Sequence, residues 1–417
     1  MPCTGVYVGR DVCVEGTSLI GRSVDLSVNY LTSHIKVFEA NHQETIVSES
    51  GYKYIFPKNS HRFICAPTDD CMKRYKYFSF AINDCNVSIS ATVTGYSPRE
   101  LEYVDGGVCE DILPVIVGAE ARSAKEGIEI IAREIEKYGS FEDNILMIAD
   151  NHECWYMEIH GGHDYCAIKA PDDCVAVIGN EFFLKDRGEI CSKGFENIPH
   201  TDKNLDVSHM RTWIGHKILS PSTIGDYSNN MELPLFYKPD KKVSLYDVFE
   251  IFRNRYEGTK YHPDASGEIR PISVENQSKV HVLQNFPDES ICWFTPGPAE
   301  FAPFVPISNK DSDFHSSYTY SMQSYGLDDK SIASLMKQLN TLCCLDREGT
   351  SEAVRAYWRK LEHQNPSEFQ KIAYEDTKAM IEQVMVYLME TNTTCKVSMD
   401  LKNMSVKPKK KENFEYR

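Results

Sequence analysis

The sequence lacks several features that would assign it to a common class of protein. It has no apolar run close to the roughly 18 residues that a membrane-spanning helix needs, so no membrane partner is expected. It has no G-x-G-x-x-G pattern and no P-loop, which argues against a nucleotide-dependent enzyme. Its 14 cysteines include no C-x2-C pair, which argues against a structural zinc site.

Positively charged residues are also fewer than negatively charged ones. The chain has 45 Lys and Arg residues against 61 Asp and Glu residues, and its net charge is −16. Because an acidic chain repels phosphate backbones, no nucleic-acid partner is expected. The exception is a basic tail at 405–417, with the run Lys-Pro-Lys-Lys-Lys at 407–411, and terminal runs of this kind are usually flexible and solvated.

Composition agrees with a large folded core. Hydrophobic residues make up 41% of the 417 residues, as in an ordinary globular protein. The cysteines are scattered, and several, such as Cys166 and Cys174, lie in strand-like apolar runs. No charged-then-apolar leader opens the sequence. We therefore expect buried, reduced thiols in a cytoplasmic protein.

The most informative segment present is Met1-Pro2-Cys3-Thr4-Gly5. Removal of residues 1–2 as a short propeptide would leave Cys3 with both a thiol and a free α-amine. A thiolate is a strong nucleophile. An α-amine, with a usual pKa of about 7.7–8.0, can act as its base. Taken alone, a cysteine near the start of a chain is more often structural.

A predicted hairpin supports the catalytic interpretation. Residues 4–9 alternate like a strand, a turn follows at 15–18, and a second strand returns at 18–24. This hairpin would bring Arg22 and Asp25 beside Cys3. Arg22 could then favour the thiolate, and Asp25 could hold the α-amine. The alternative is an edge hairpin with exposed charges.

Cys-Thr, a strand, a turn and Gly-Arg-x-x-Asp together resemble the start of the PepD-type (dipeptidase A) family. These are cysteine dipeptidases of the N-terminal-nucleophile hydrolase class, and bile salt hydrolases and penicillin V acylases are more distant relatives. Further matching segments lie at 83–92, 110–114, 153–159, 171–180 and 297–306. The resemblance runs from residue 3 to about residue 345 and is thin beyond it.

The resemblance implies an α+β fold, a four-layer αββα sandwich in which two antiparallel sheets lie between two helical layers. A strand-rich front and a helical back agree with α+β. The implied organisation is a propeptide at 1–2, a catalytic domain at 3–345, helices packed on it at 346–404, and the tail at 405–417. Among the local predictions are a helix at 123–138 capped by Ser123, a helix near 206–219, an exposed loop at 258–280, and a last helix capped by Asn365.

The resemblance also implies a site. Cys3 would attack an amide carbonyl and form a thioester, its α-amine would carry the proton, and Arg22 and Asp25 would act as described above. Asn180 would donate to the oxyanion, and Arg211 would be a second arginine of the site. The alternatives are an ordinary turn at Asn180 and a surface arginine on a helix at Arg211. The mechanism requires no metal and no organic cofactor.

Several functions stay open at this point. The leading prediction is a dipeptidase that hydrolyses small unblocked dipeptides, and the second is an amidase or acylase of N-acylated amino acids or similar small amides. The third is a non-catalytic, secernin-like relative, and the fourth is a cysteine-rich metal-binding protein. A homo-oligomer is possible. The turn-like glycines of His160-Gly161-Gly162-His163 favour a turn over a metal site there.

Overall fold

The computed structural model describes residues 3–25, 33–69, 76–93, 103–195, 206–228, 230–263, 269–322 and 328–391. The strands in these ranges are β1 (Thr4–Val8), β2 (Leu19–Asp25), β3 (Lys36–Phe38), β4 (Thr45–Val47), β5 (Lys53–Ile55), β6 (Phe63–Cys65), β7 (Thr68–Asp69), β8 (Lys76–Tyr77), β9 (Phe80–Asn83), β10 (Ser88–Val93), β11 (Ser140–Ala149), β12 (Cys154–Gly162), β13 (Tyr165–Lys169), β14 (Val175–Ile178), β15 (Ile190–Cys191), β16 (Gln277–Asn285), β17 (Ser290–Thr295) and β18 (Val305–Ser308). The helices are α1 (Leu113–Glu120), α2 (Ala124–Tyr138), α3 (Asp206–Leu219), α4 (Leu245–Arg253), α5 (Ser316–Thr319), α6 (Ile332–Leu345), α7 (Arg347–Gln364) and α8 (Phe369–Glu390), with short 3-10 helices at Glu110–Ile112 and Ala299–Phe301.

Two antiparallel sheets lie face to face. In the described residues the smaller sheet has the strand order β14-β1-β2-β16-β17-β18, and the larger has the order β15-β13-β12-β11-β10-β9-β6-β3. Side chains from both sheets, among them Tyr7, Ile20 and Ile145, share one apolar cluster. Because strand side chains alternate between faces, the other face of each sheet is left to be covered by helices.

Helices cover both outer faces. Ile128 and Ile131 of α2 belong to one apolar cluster with Leu146 of the larger sheet. Trp213 of α3 and Phe249 of α4 form another cluster with residues of β1, β2 and β14 in the smaller sheet. The order of layers is therefore helix, sheet, sheet, helix, which confirms the predicted four-layer αββα sandwich of the α+β class.

Helix α2 begins and ends where the sequence predicts. The Ser123 side chain accepts a hydrogen bond from the backbone N–H of Glu126 at 3.2 Å, which caps the first turn. Gly139 follows the last helical residue with φ of 71°, a conformation that glycine adopts without steric cost. The predicted helix near 206–219 is likewise present, as α3.

The predicted cap at Asn365 is wrong. Asn365 ends α7 in the left-handed conformation, with φ of 41° and ψ of 63°, and α8 begins only at Phe369. Asparagine is one of the few residues that tolerate this conformation at a helix C-terminus, and Pro366 cannot continue the preceding helix.

Helix α4 was not predicted. Ser244 and Asp247 form a reciprocal capping box at its start, and its apolar residues include Leu245, Val248 and Phe252. The same Ser-x-x-Asp pattern followed by an apolar stripe is visible in the sequence, so the signal for this helix was available.

One cysteine prediction is corrected by the structure. Cys166 on β13 and Cys191 on β15 face each other across the sheet and form a disulfide, with a Cα–Cα distance of 4.1 Å. Cys174 is a free, buried thiol, as expected. Disulfides are rare in reducing compartments such as the cytoplasm. The cytoplasmic location therefore stays a prediction, and this bond does not favour it.

The last three helices pack on the sandwich. Trp358 of α7 is fully buried and donates a hydrogen bond to the Phe301 carbonyl at 2.9 Å. Residues of α6, α7 and α8 join the cluster between the sheets. The division of the chain at residue 345 stays a prediction, and residues 1–2 and the basic tail lie outside the described residues. None of the described helices has the length and apolar character needed to cross a membrane.

Candidate active site

The strand register brings Cys3 and Asn180 together. Gly5 of β1 is paired with Ile178 of β14, so the residue before β1 comes opposite the residue two positions after β14. The backbone N–H of Cys3 donates to Asn180 Oδ1 at 2.8 Å, and both residues are buried. Cys3 therefore lies at the start of β1, a strand that has β14 on one side and β2 on the other.

Arg22 reaches the sulphur from the neighbouring strand. It is paired with Gly5 in the register of β1 and β2, and its Nη2 lies 2.9 Å from Cys3 Sγ. The same Nη2 donates to Tyr77 Oη at 2.7 Å, and Nη1 lies 2.5 Å from Glu110 Oε1. Tyr77 Oη in turn donates to Glu110 Oε1. These four buried side chains form one polar cluster between the sheets.

Charge within that cluster keeps Arg22 protonated. Burial disfavours the charged form, but the interactions of the guanidinium with Cys3, Glu110 and the Tyr77 hydroxyl outweigh it and raise the Arg22 pKa well above its ordinary value. Tyr77 and Glu110 were not predicted as site residues. Glu110 lies in a segment that carried the family resemblance, but nothing in the local pattern of either residue indicates contact with Arg22.

Arg211 holds the backbone on the other side of Cys3. From α3 it donates to the Cys3 carbonyl oxygen, to Thr4 Oγ1 at 3.1 Å and to Asn180 Oδ1 at 2.7 Å. It is buried rather than on the surface. Burial, and then the nearby charge of Arg270, lower its pKa to about 10, which leaves it charged at neutral pH.

Asp25 ends β2 beside this arginine. It is buried, and one of its oxygens accepts a hydrogen bond from Arg270. Burial raises the Asp25 pKa, while the charges of Arg270 and Arg211 oppose that rise. Within the described ranges no hydrogen bond joins Asp25 to Cys3, so its predicted hold on the α-amine stays a prediction.

Arg270 was missed because it lies in the segment predicted as an exposed loop. Residues 258–262 and 269–276 are turns, bends and irregular backbone, and β16 begins at Gln277. The Arg270 side chain, however, is only 20% exposed and ends on a buried carboxylate. A turn-rich composition indicates an irregular backbone, but it does not show where a long side chain of such a segment ends.

The loop that carries Asn180 is held from two directions. On one side, Gly179 N–H donates to Thr212 Oγ1 at 3.1 Å, and Thr212 Oγ1 donates to Glu181 Oε1 at 2.6 Å. On the other side, Glu158 Oε1 of β12 accepts the backbone N–H groups of Phe183 at 2.5 Å and Leu184 at 3.1 Å. The loop is thus tied to α3 and to the larger sheet, and Asn180 is held in place.

Two glycines allow α3 to approach β14 closely. A Cβ at Gly179 would lie 2.4 Å from the Ser208 carbonyl oxygen, and a Cβ at Gly215 would lie 2.2 Å from Val177 Cβ. Both distances are far inside van der Waals contact. Because α3 lies this close to β14, Arg211 on the helix reaches Cys3.

The floor of the site between the sheets also carries polar groups. His281 Nε2 lies 2.9 Å from Ser90 Oγ of the facing sheet. Burial, and then the charges of Arg22 and Lys279, lower the His281 pKa well below its ordinary value, so this imidazole is neutral. A small cavity lies beside these groups, lined by Gly5, Arg22, Ser90, Ala91, Thr92, Ile145, Leu146, Met147 and Ile178.

Comparison with known proteins shows the family of this chain. The model of peptidase family C69 matches residues 2–197 and 192–360 of the chain. The chain belongs to this family. It is therefore a peptidase and hydrolase, and the predicted family is confirmed.

Curated relatives of this C69 peptidase carry dipeptidase names. "Probable dipeptidase B" of Streptococcus pyogenes serotype M18 is 27% identical over 476 residues, covering 99% of this chain and 94% of the relative. "Probable dipeptidase" of Latilactobacillus sakei is 28% identical over 363 residues, with 76% of each chain covered.

Solved structures similar to the C69 peptidase include penicillin V acylase from Agrobacterium tumefaciens. That match has a TM-score of 0.39 and 13% identity, and it covers 73% of this chain and 85% of the acylase. A mutant conjugated bile acid hydrolase from Clostridium perfringens has the same TM-score and identity, with 74% and 93% covered.

Proposed function

We propose that this C69 peptidase is a dipeptidase whose nucleophile is Cys3, unmasked by removal of residues 1–2. The observation that carries the proposal is the distance of 2.9 Å between Arg22 Nη2 and Cys3 Sγ at the start of a central strand. A positive charge at this distance stabilises the thiolate, which is the reactive form. The dipeptidase names of the relatives support the substrate class.

The proposed reaction has two steps. In the first, Cys3 Sγ attacks the carbonyl carbon of the peptide bond, and the α-amine of Cys3 takes the thiol proton and passes it to the leaving nitrogen. The C–N bond breaks, and a thioester remains. In the second step water attacks the thioester carbon and gives a proton through the same amine to Cys3 Sγ, the C–S bond breaks, and the carboxylic acid leaves.

Asn180 is the proposed donor to the oxyanion. Its Oδ1 accepts hydrogen bonds from the Cys3 N–H and from Arg211 Nη2, and this pair of bonds sets the plane of the side-chain amide. With the oxygen engaged in this way, the amide nitrogen is the group that serves the oxyanion.

Maturation is part of the proposal because Pro2 separates Met1 from Cys3. Loss of Met1 alone would leave the amine of proline in place of that of cysteine. Intact mass and N-terminal sequencing of the active protein are therefore expected to show a chain that begins at Cys3. A fully active chain that begins at Met1 or Pro2 would rule out the α-amine as the base.

The test of the nucleophile is Cys3→Ala, assayed against a panel of unblocked dipeptides and N-acylated amino acids. Hydrolysis is expected to vanish while the melting temperature is retained, and Cys3→Ser is expected to be severely slowed because a hydroxyl is the poorer nucleophile near neutral pH. Cys344→Ser, at a partly exposed thiol in α6, is the matched control and is expected to keep full activity.

The panel separates the possible outcomes. Hydrolysis of dipeptides but not of N-acylated amino acids supports the proposal, and the reverse preference would make the protein an acylase. Activity retained in Cys3→Ala would overturn the mechanism. A wild-type protein matured to Cys3 but inactive on every member of the panel would contradict the dipeptidase assignment.

A further inference from the structure

Three side chains of metal-binding types meet at the edge of the turn between β9 and β10 of the larger sheet, and none of them contacts Cys3 among the described residues. His61 precedes β6, and Asp84 and Cys85 form the turn between β9 and β10. One potential ligand atom from each residue lies within 4.8 Å of the others. The His61 and Asp84 side chains are 22% and 41% exposed, so an ion can enter from solvent.

The distances between the donor atoms fit coordination by one ion. His61 Nδ1 lies 3.0 Å from Asp84 Oδ1 and 3.4 Å from Cys85 Sγ. When a metal is bound at about 2.0–2.3 Å in tetrahedral geometry, neighbouring ligand atoms are about 3.3–3.6 Å apart. Shifts of a few tenths of an ångström would therefore seat an ion among the three atoms.

We propose that His61, Asp84 and Cys85 bind a divalent transition metal ion of the zinc type, with water in the fourth position. A set of one nitrogen, one oxygen and one sulphur donor suits zinc or cobalt. Magnesium and calcium prefer oxygen donors alone, so this set excludes them.

The same three residue types could instead form a nucleophilic relay, but their arrangement does not. In a Cys-His-Asp relay the thiol and the carboxylate bind opposite nitrogens of the imidazole. Here Asp84 lies on Nδ1, and Cys85 Sγ is also nearer to Nδ1, at 3.4 Å, than to Nε2, at 3.8 Å. An ion coordinated by Nδ1 would have both of these side chains beside it.

The backbone holds the three ligands in place without the ion. His61 N–H donates to the Ala119 carbonyl at 2.8 Å, Asp84 N–H donates to the Arg62 carbonyl at 2.9 Å, and Cys85 N–H donates to Asn83 Oδ1 at 3.0 Å. A site that is already formed before the ion arrives loses little entropy on binding.

Charge near the site is compatible with a cation. The positive charge of Arg122 acts on the Cys85 thiol, but Arg122 is itself paired with Glu126 at 2.7 and 3.1 Å. The carboxylate of Asp84 is then the charged group in direct contact with the other two ligands.

The ion would stabilise a turn that links the two sheets. Asn309, which follows β18 of the smaller sheet, donates to the Asn83 carbonyl at 2.7 Å and to Asn86 Oδ1 at 2.8 Å. Asn83 ends β9, and Asn86 lies in the turn that carries Asp84 and Cys85. A metal at this turn is therefore expected to raise the melting temperature of the protein by binding the native state.

The test is a zinc titration of the chelator-treated full chain in competition with a chromophoric chelator. Cys3→Ala serves as the parent protein, because it removes the active-site thiol as a rival ligand. We expect one tight site, an affinity loss of at least about tenfold in Cys85→Ser and Asp84→Asn, and an unchanged affinity in Cys344→Ser. Cobalt is expected to give a thiolate charge-transfer absorption in the parent that Cys85→Ser lacks.

Each outcome decides the proposal. Zinc is expected to raise the melting temperature of the parent and of Cys344→Ser, but not that of Cys85→Ser. Asp84→Asn keeps an acceptor for the Arg62 N–H, which Asp84 Oδ2 binds at 3.2 Å, and so tests the site if Cys85→Ser folds poorly. No tight site in the parent, or equal affinity in the parent and both ligand variants, would overturn the assignment.

Discussion

Two arginines hold Cys3 from opposite sides and differ in what balances their charge. Arg22 binds the sulphur and is neutralised by Glu110, whereas Arg211 binds the backbone carbonyl of Cys3 and neutral oxygen atoms of Thr4 and Asn180. In the proposed mechanism, the first responds to the charge of the Cys3 thiolate. The second fixes the position of the residue, because its hydrogen bonds go to the main chain and to the Asn180 amide.

Asn180 offers a sharp test at the residue scale. Asn180→Asp keeps an oxygen that can accept from the Cys3 N–H and Arg211 but removes the amide donor. If Asn180 serves the oxyanion, kcat for the best dipeptide is expected to fall by about 10²–10³, with the melting temperature retained.

Asn180→Ala is the companion variant, because it removes the acceptor as well as the donor. A loss of kcat in Asn180→Ala together with near-normal kcat in Asn180→Asp would assign to Asn180 an anchoring role only. Steady-state kcat and KM for both variants distinguish the two cases.

Asp111 gives the fold a pH dependence of known sign. Burial raises its pKa to about 7, although the hydrogen bond from the Glu49 backbone N–H opposes that rise. A carboxyl with a raised pKa stabilises the fold while it is protonated, and this contribution is lost as pH rises from about 4 through 7. Asp111→Asn cannot ionise, so it is expected to be more stable than the wild type near pH 8.

Urea denaturation at about pH 5 and pH 8 measures this effect. The free energy of unfolding of Asp111→Asn minus that of the wild type is expected to increase between the two values. Other buried carboxyls, such as Asp143, are present in both proteins and cancel in the difference. A difference that does not depend on pH would show that Asp111 is not protonated in the folded state.

At the scale of elements, the position of α3 matters most for the site. The helix carries Arg211, and its approach to β14 depends on the absence of side chains at Gly179 and Gly215. Gly215→Ala would force a methyl group into Val177, an overpacking that costs about 1–3 kcal/mol. Because the helix must move to relieve the clash, kcat is expected to fall together with stability.

Gly225→Ala is the matched control for this prediction, because a Cβ at Gly225 meets no atom within 4 Å. Thermal unfolding and kcat of both variants provide the comparison. Equal stability of Gly215→Ala and Gly225→Ala would contradict the tight packing of α3 on β14.

The unequal success of the element predictions has a local cause. Ser123 and Gly139 delimit α2 through contacts within a few residues, so the pattern was sufficient. Asn365 was compatible with either end of a helix, and whether it ends α7 or starts α8 depends on where α8 packs. An asparagine by itself therefore does not show whether a helix begins or ends at that position.

For the molecule as a whole, one buried ion pair ties the C-terminal helices to the sandwich. Arg253 of α4 binds Glu362 of α7 through its two terminal nitrogens, Nη2 at 2.5 Å and Nη1 at 3.1 Å, and Glu362 also accepts from Phe304 N–H at 2.8 Å. Glu362→Ala leaves Arg253 buried without this partner. Its free energy of unfolding is expected to be about 3–5 kcal/mol lower than that of the wild type.

Glu352→Ala, on the same helix, is the control. Glu352 is 84% exposed and lies 3.4 Å from Arg359, so its removal is expected to cost less than about 1 kcal/mol. Urea denaturation of both variants measures the contrast. Similar losses in the two would mean that α7 is not held by the buried pair.

The sequence by itself determined the hairpin of β1 and β2, with Arg22 and Asp25 near Cys3, because the alternating residues of both strands and the turn signal between them lie within one short stretch of the chain. With the family resemblance, it also indicated Asn180 and Arg211. Only the tertiary structure decided that Tyr77, Glu110 and Arg270 complete the surroundings of Cys3, and that His61 meets Cys85. These residues come from distant segments that pack together, and periodicity within one segment carries no information about which other segment will lie against it.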